Sequence, residues 1–173
     1  MQRIVTRSLA AVIGLCLLGG LGACSTKTAD NWKFTDSQGT ICELSDYKGQ
    51  IVVISFSNTW CKPCKEAAPF MQELQERFGQ HGVKVMTVSS WEQGDPQRWM
   101  LERGYTYGVM LHGTDVARRY KVNHMPTFLV IGVNGKVIYR HDGFSKRTAA
   151  KLTKVVDKHL KKHAGSSYAQ HSG

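Results

Sequence analysis

The sequence predicts an α/β domain: one mixed β-sheet with helices on both faces, an N-terminal β-hairpin and a central strand–helix insertion. Three observations carry that reading. Residues 51–56 (IVVISF) form a nearly continuous apolar run rich in β-branched residues, the pattern of a strand buried on both faces. Strand-like and helix-like periodicities then alternate along the chain. Towards the end, Asn134-Gly135 lies between two apolar runs and marks an antiparallel hairpin, so the sheet is not purely parallel.

The elements follow in order. Residues 34–44 read as a hairpin turned by Asp36-Ser37-Gln38-Gly39. After the strand at 51–56, residues 64–78 place Ala67, Met71, Leu74 and Phe78 on one helical face. Residues 83–88 are strand-like again. Asp95-Pro96 combines an N-cap with proline at the first helical position, and Gly104 suits the C-terminal stop. Residues 107–111 suit a strand, and Thr114 suits the cap of a short helix reaching Tyr120. Residues 127–131 and 136–139 flank Asn134-Gly135, a type I′ signal. Residues 146–162 make an amphipathic helix with Leu152, Val155, Val156 and Leu160 inward, and residues 163–173 read as a disordered tail. No internal repeat is present.

The 173 residues suffice for one domain with a substantial core. With 42% hydrophobic and 21% charged residues, the chain is not a disordered, collagen-like or multi-span membrane protein. Lys and Arg outnumber Asp and Glu by 23 to 13, and a formal charge of +10 suits nucleic acid, an anionic membrane or acidic partners alike. Charge alone does not choose among them. No phosphate-binding glycine loop occurs, Trp91 and Trp99 read as core or rim rather than a nucleotide platform, and nucleic acid is not an expected partner.

Residues 1–23 read as an address. Arg3 and Arg7 precede an uncharged apolar run, 9–21, which is broken by glycines and shorter than the ~20 residues a spanning helix needs. The run ends in Leu21-Gly22-Ala23-Cys24, which resembles the lipobox of bacterial lipoproteins. That resemblance implies cleavage before Cys24 and a diacylglyceryl group on its sulfur; the other reading is ordinary cleavage near Ala23, with Cys24 an incidental thiol. Two or three acyl chains anchor stably where one does not. The expected organisation is a lipoprotein signal peptide at 1–23, a tether at 24–31 and a domain at 32–162, held outside the cytoplasm.

The chemistry sits at Trp60-Cys61-Lys62-Pro63-Cys64. Between a buried strand and an amphipathic helix, Cys61 falls at or just before the helix N-terminus, where unpaired N–H groups and the helix dipole favour a thiolate. Lys62 adds a nearby cation, and Pro63 fits a first turn that needs no N–H there. Cys64, one turn further in, suits a resolving thiol. A zinc site would need a second ligand pair, and the sequence has no second CxxC. A purely structural bridge over so short a loop would contribute little. Redox chemistry is therefore the expected use of the pair.

Met125-Pro126-Thr127 adds a proline directly before a strand. With it, residues 34–160 resemble thioredoxin-fold proteins of the TlpA/ResA type, the group that includes cytochrome c biogenesis thioredoxins. The matching stretches are 52–64, Pro69, 120–122 and 126–128 on through Gly135-Lys136-Val137. The resemblance implies a thioredoxin-like fold, Cys61 as nucleophile, Cys64 as resolving cysteine and Pro126 as a cis-proline that turns the Met125 backbone toward a substrate strand. It also implies extracytoplasmic dithiol chemistry in the reducing direction, with Trp60 offering apolar contact to the client.

Two departures stand out. Classical thioredoxins carry a buried Asp where this chain has Ser55, and the TlpA/ResA group often has Glu where this chain has Ala67. Glu66 is one residue off, pointing about 100° away on a helix. The expected function is thus a membrane-tethered thiol–disulfide oxidoreductase that reduces client disulfides and is restored by a membrane electron donor. Its redox group is the Cys61–Cys64 pair, with no organic cofactor or metal. Two alternatives stay open: an oxidase or isomerase of secreted proteins, or a copper carrier using Cys61, Cys64 and His124. A peroxidase of the peroxiredoxin kind would need Thr where Asn58 stands. Cys42 is expected to be a buried, inert thiol, and Lys151, Lys154, Lys158, Lys161 and Lys162 a solvated face.

Overall fold

A computed structural model describes residues 28–167. Seven strands form one sheet in the order β2-β1-β5-β4-β3-β6-β7. They are β1 (Lys33–Asp36), β2 (Ile41–Glu43), β3 (Val52–Ser57), β4 (Lys84–Ser89), β5 (Gly108–Leu111), β6 (Thr127–Ile131) and β7 (Val137–Asp142). The helices are α1 (Lys62–Phe78), α2 (Pro96–Leu101), α3 (Thr114–Arg119) and α4 (Lys146–Ser167). Strands β3, β4 and β5 are mutually parallel, whereas β1–β2, β1–β5, β3–β6 and β6–β7 pair antiparallel. This is the mixed, helix-flanked sheet that the patterning predicts, with its N-terminal hairpin and the inserted β4–α2–β5 segment.

The alternation of side chains along each strand sorts the core into two layers. Val53, Val85, Val109, Phe128 and Val130 face Ala67, Met71 and Leu74 of α1, Met100 of α2, and Leu152 and Val156 of α4. Val52, Ile54, Phe56, Met86, Val88, Leu129 and Ile131 face Val116 and Ala117 of α3 together with Ala29, Trp32 and Phe34. A sheet covered on both sides requires continuous apolar strands, which is why 51–56 lacks polar alternation.

Four local readings are corrected. The tether expected at 24–31 is docked from Thr28 onward: Thr28 bridges to Lys136, the Ala29 N–H donates to Gly135 O (2.9 Å), and Ala29 is buried. Fully buried Trp32 draws this segment onto the sheet, and backbone pairing leaves no trace in its small, polar composition. Residues 24–27, like the signal peptide and Cys24, lie outside the described residues. The turn at Asn134-Gly135 is not type I′, because of its two residues only Gly135 has positive φ (72°). Val133, Asn134 and Gly135 instead form a three-residue loop closed by Gly132 N–H to Lys136 O (2.9 Å), with glycine in the left-handed position such loops require. The tail expected at 163–173 is helical to Ser167, and residues 168–173 lie outside the description. Finally, Gly113 rather than Thr114 caps α3.

That last substitution of roles has a steric reason. Gly113 lies against β4, donating its N–H to Ser89 O (2.8 Å). A Cβ there would overlap Val88 Cγ1 and sit 3.1 Å from Ser89 O. Val88 is fully buried and has no room to yield. Gly113→Ala is therefore expected to destabilise the fold by about 1–3 kcal/mol, read as a lowered midpoint of thermal or urea unfolding.

Candidate active site

Strand β3 ends at Ser57, and after a short turn the chain enters α1 with Cys61 as its N-cap. Cys61 is extended (φ −79°, ψ 109°), and its Sγ accepts the Cys64 N–H at 3.3 Å. Lys62 and Pro63 occupy the first helical turn and are exposed. Cys61 and Cys64 are joined by a disulfide, and both are buried, at 8% and 5% exposure. The sulfur of Cys61 thus lies where the helix has unpaired N–H groups and the positive end of its dipole.

The second wall comes from β6. Phe56 pairs with Thr127, so Met125 and Pro126 lie at the end of the sheet where β3 runs into the cysteines. The Met125–Pro126 peptide is cis. Thr127, fully buried, places its hydroxyl 2.7 Å from both His124 O and Asp142 Oδ1, fixing the loop below the proline. Half-buried Met125 accepts a long contact from Asn58 Nδ2 at 3.7 Å. Trp60 stands 54% exposed at the rim.

Three residues that the sequence did not single out as builders hold these parts together. Asn58, 4% exposed, also donates through Nδ2 to Ser90 O (3.2 Å), linking the β4–α2 loop to Met125. Glu92 accepts from Thr59 N–H (2.9 Å), Thr59 Oγ1 (2.5 Å), Ser89 Oγ (3.2 Å) and the N–H groups of Gln93 and Gly94 (2.9 Å each). Burial alone would raise its carboxyl pKa, but the hydrogen bonds from the Thr59 side chain and from the Gly94, Thr59 and Gln93 backbones outweigh it and hold it below the usual carboxylate range. Trp91 accepts the Trp60 indole N–H at 3.1 Å. A cavity of about 20 Å³ beside Cys64 is lined by Ser57, Asn58, Thr59, Thr87, Ser89 and Tyr107, among others.

The structure does not gather every candidate. His124 is exposed, and among the described residues no group of three His, Cys, Asp or Glu side chains could hold a metal ion, so Cys61, Cys64 and His124 do not form such a cluster. Cys42 is free but half-buried rather than buried, with Asp36 Oδ2 at 3.9 Å from its sulfur. It sits on edge strand β2, four places from β3 in the sheet. Trp99 is half-buried against the α1-side core, its ring tilted against Tyr105 and covered by Arg103.

A bonded CxxC at a helix N-cap, beside a cis-proline at the same edge of such a sheet, defines the class: a thioredoxin-fold thiol–disulfide oxidoreductase. The chain belongs to the AhpC/TSA family, whose model matches residues 26–140. It is similar to the thiol-disulfide oxidoreductase ResA of Geobacillus thermodenitrificans, 33% identical over 151 residues that cover 79% of this chain and 85% of that one. ResA of Bacillus cereus strain ATCC 10987 is 31% identical over 134 residues, 76% of each chain. Among solved structures, a Chlorobium tepidum protein provisionally named thiol:disulfide interchange protein DsbE superposes with a TM-score of 0.72 at 27% identity, covering 78% of this chain and 96% of that one.

Glu92→Gln tests the brace. A carboxyl whose folded pKa is depressed stabilises above its unfolded pKa, about 4.3, and loses that contribution as pH falls through the folded value. The variant is expected to be about 1–2 kcal/mol less stable near pH 7. The gap to the native protein should close as urea unfolding is repeated at pH 4 and then pH 3.

Proposed function

We propose that this protein reduces disulfides of client proteins outside the cytoplasm while tethered to a membrane. The observation that carries the reading is Cys61 Sγ at the N-cap of α1, accepting the Cys64 N–H, with Cys64 buried in the first turn. In the dithiol form the same N–H groups stabilise a Cys61 thiolate, and exposed Lys62 adds positive charge nearby. Pro63 holds the first turn without a missing N–H partner.

The reaction balances as two exchanges. The Cys61 thiolate attacks one sulfur of a client disulfide, forming a mixed disulfide and expelling the other client sulfur as a thiolate, which takes a proton from water. Cys64 loses its proton and attacks Cys61 Sγ, expelling the second client sulfur, which is protonated in turn. The client gains two electrons and two protons, and the protein is left with the Cys61–Cys64 disulfide. A dithiol of a membrane electron donor reverses that last state. The cysteine pair is the only redox group required, with no organic cofactor or metal. Trp60 offers apolar contact to the client, the Met125 backbone pairs with its extended chain, and Pro126 sets the direction of that backbone.

The tether is the lipid on Cys24. Among the described residues no helix is long and apolar enough to cross a membrane. Replacing Cys24 by Ser is expected to abolish incorporation of labelled fatty acid and to move the protein from the membrane to the soluble fraction.

Cys61→Ser should lose all turnover, whereas Cys64→Ser should accumulate mixed disulfides with clients on non-reducing gels; failure to trap any would count against the assigned roles. The reduction potential of the pair, measured with Cys42 replaced by Ser, is expected at or below about −250 mV, as for thioredoxin. A value near about −120 mV would make the protein an oxidant of folding chains.

A further inference from the structure

The β4–α2 loop carries a conformation that its sequence does not favour. Trp91 has φ 50°, in the left-handed region that a bulky side chain avoids and glycine enters freely. Both of its backbone groups are tied: the N–H donates to Thr114 Oγ1 at 2.8 Å and the carbonyl accepts Trp60 Nε1–H at 3.1 Å. Its neighbours are tied as well, Ser90 to Ser57 and Asn58, and Glu92 to Thr59. The loop is therefore held rigidly against the segment that leads into Cys61, with a tryptophan where the backbone would suit glycine.

We infer that Trp91 is a specificity-determining residue, which forms with Trp60 an aromatic wall beside Cys61 that selects client disulfides flanked by an aromatic or large apolar side chain. The inference rests on the oxidoreductase reading and deepens it. Since the client sulfur must reach Cys61, the residues on either side of it pass over whatever surrounds that sulfur. Trp60 is more than half exposed, and its one polar atom is already satisfied by Trp91 O, so its ring is open to contact without stranding an N–H. Trp91 is half-buried and packs on the α3-side core, the same face of the sheet on which Met125 packs. Aromatic groups fixed in advance lose little freedom when a partner arrives, which makes them effective anchors.

The test uses the reduced protein on two disulfide-cyclised peptides that differ only in Phe or Ser beside the attacked cysteine, with 2-hydroxyethyl disulfide as a featureless reference. The expected result is a preference for the Phe peptide of about tenfold in kcat/KM, as apolar pockets give for one side chain. Trp91→Gly, which suits the backbone and removes the ring, should bring that preference close to unity, and Trp91→Phe should keep most of it. Should Trp91→Gly fail to fold, Trp91→Leu carries the same test, with a preference reduced part-way. A native protein that does not distinguish the peptides, or a folded Trp91→Gly that still does, would overturn the inference. No turnover of 2-hydroxyethyl disulfide by the native protein would overturn the oxidoreductase reading, and the inference with it.

Discussion

The parallel pairing of β3 with β4 sets the position of Cys61 at the reactive end of the molecule. Its ladder runs in register from Val52↔Lys84 to Ser57↔Ser89. Beyond the strands the partnership continues by other means. Ser90 N–H donates to Ser57 O, Asn58 to Ser90 O, Thr59 to Glu92, and the Trp60 indole to Trp91 O. Each residue from Ser57 to Trp60 thus finds a partner between Ser90 and Glu92 before the chain turns into α1. Cys61 emerges from this double layer at a fixed point, and only then does the helix N-terminus supply its electrostatics.

Most of the architecture was legible because burial writes itself into residue type. A strand covered on both faces must be apolar throughout, as 51–56 is, and a helix lying on the sheet must repeat its apolar face, as Ala67, Met71, Leu74 and Phe78 do. The cap at Asp95 was legible for a related reason: its side chain accepts the Arg98 N–H at 2.9 Å, the job that its residue type and the following proline announce. The cysteine pair was legible from its place between strand and helix.

What the sequence hid was held by backbone groups or by partners distant in the chain. Residues 28–31 look like a linker because a bridge to Lys136 and an N–H to Gly135 O need no particular side chain. Glu92 looks like any surface carboxylate until Thr59, 33 positions earlier, is brought beside it. Thr114 reads as a helix cap, yet its hydroxyl faces the Trp91 N–H and Gly113 takes the cap position, since only a residue without Cβ fits against Val88. None of these pairings has a period or a motif, so patterning could not reveal them.

The same distances explain how the two sulfurs differ without a nearby acid. Ser55 and Ala67 leave Cys64 without a carboxylate at the two positions where relatives of this fold carry one, and Glu66 is exposed. Glu92 is engaged by five donors and held ionised, so it braces the loop and is not free to accept a proton from Cys64. The groups lining the cavity beside Cys64 are neutral apart from Lys65, which is exposed. Cys64 thus has no carboxylate partner, whereas Cys61 sits at the positive end of the helix dipole. Position along α1 therefore separates the pair: Cys61 has the unpaired N–H groups, and Cys64 has uncharged hydroxyls and an amide. The difference between the two environments follows from the first turn of a single helix.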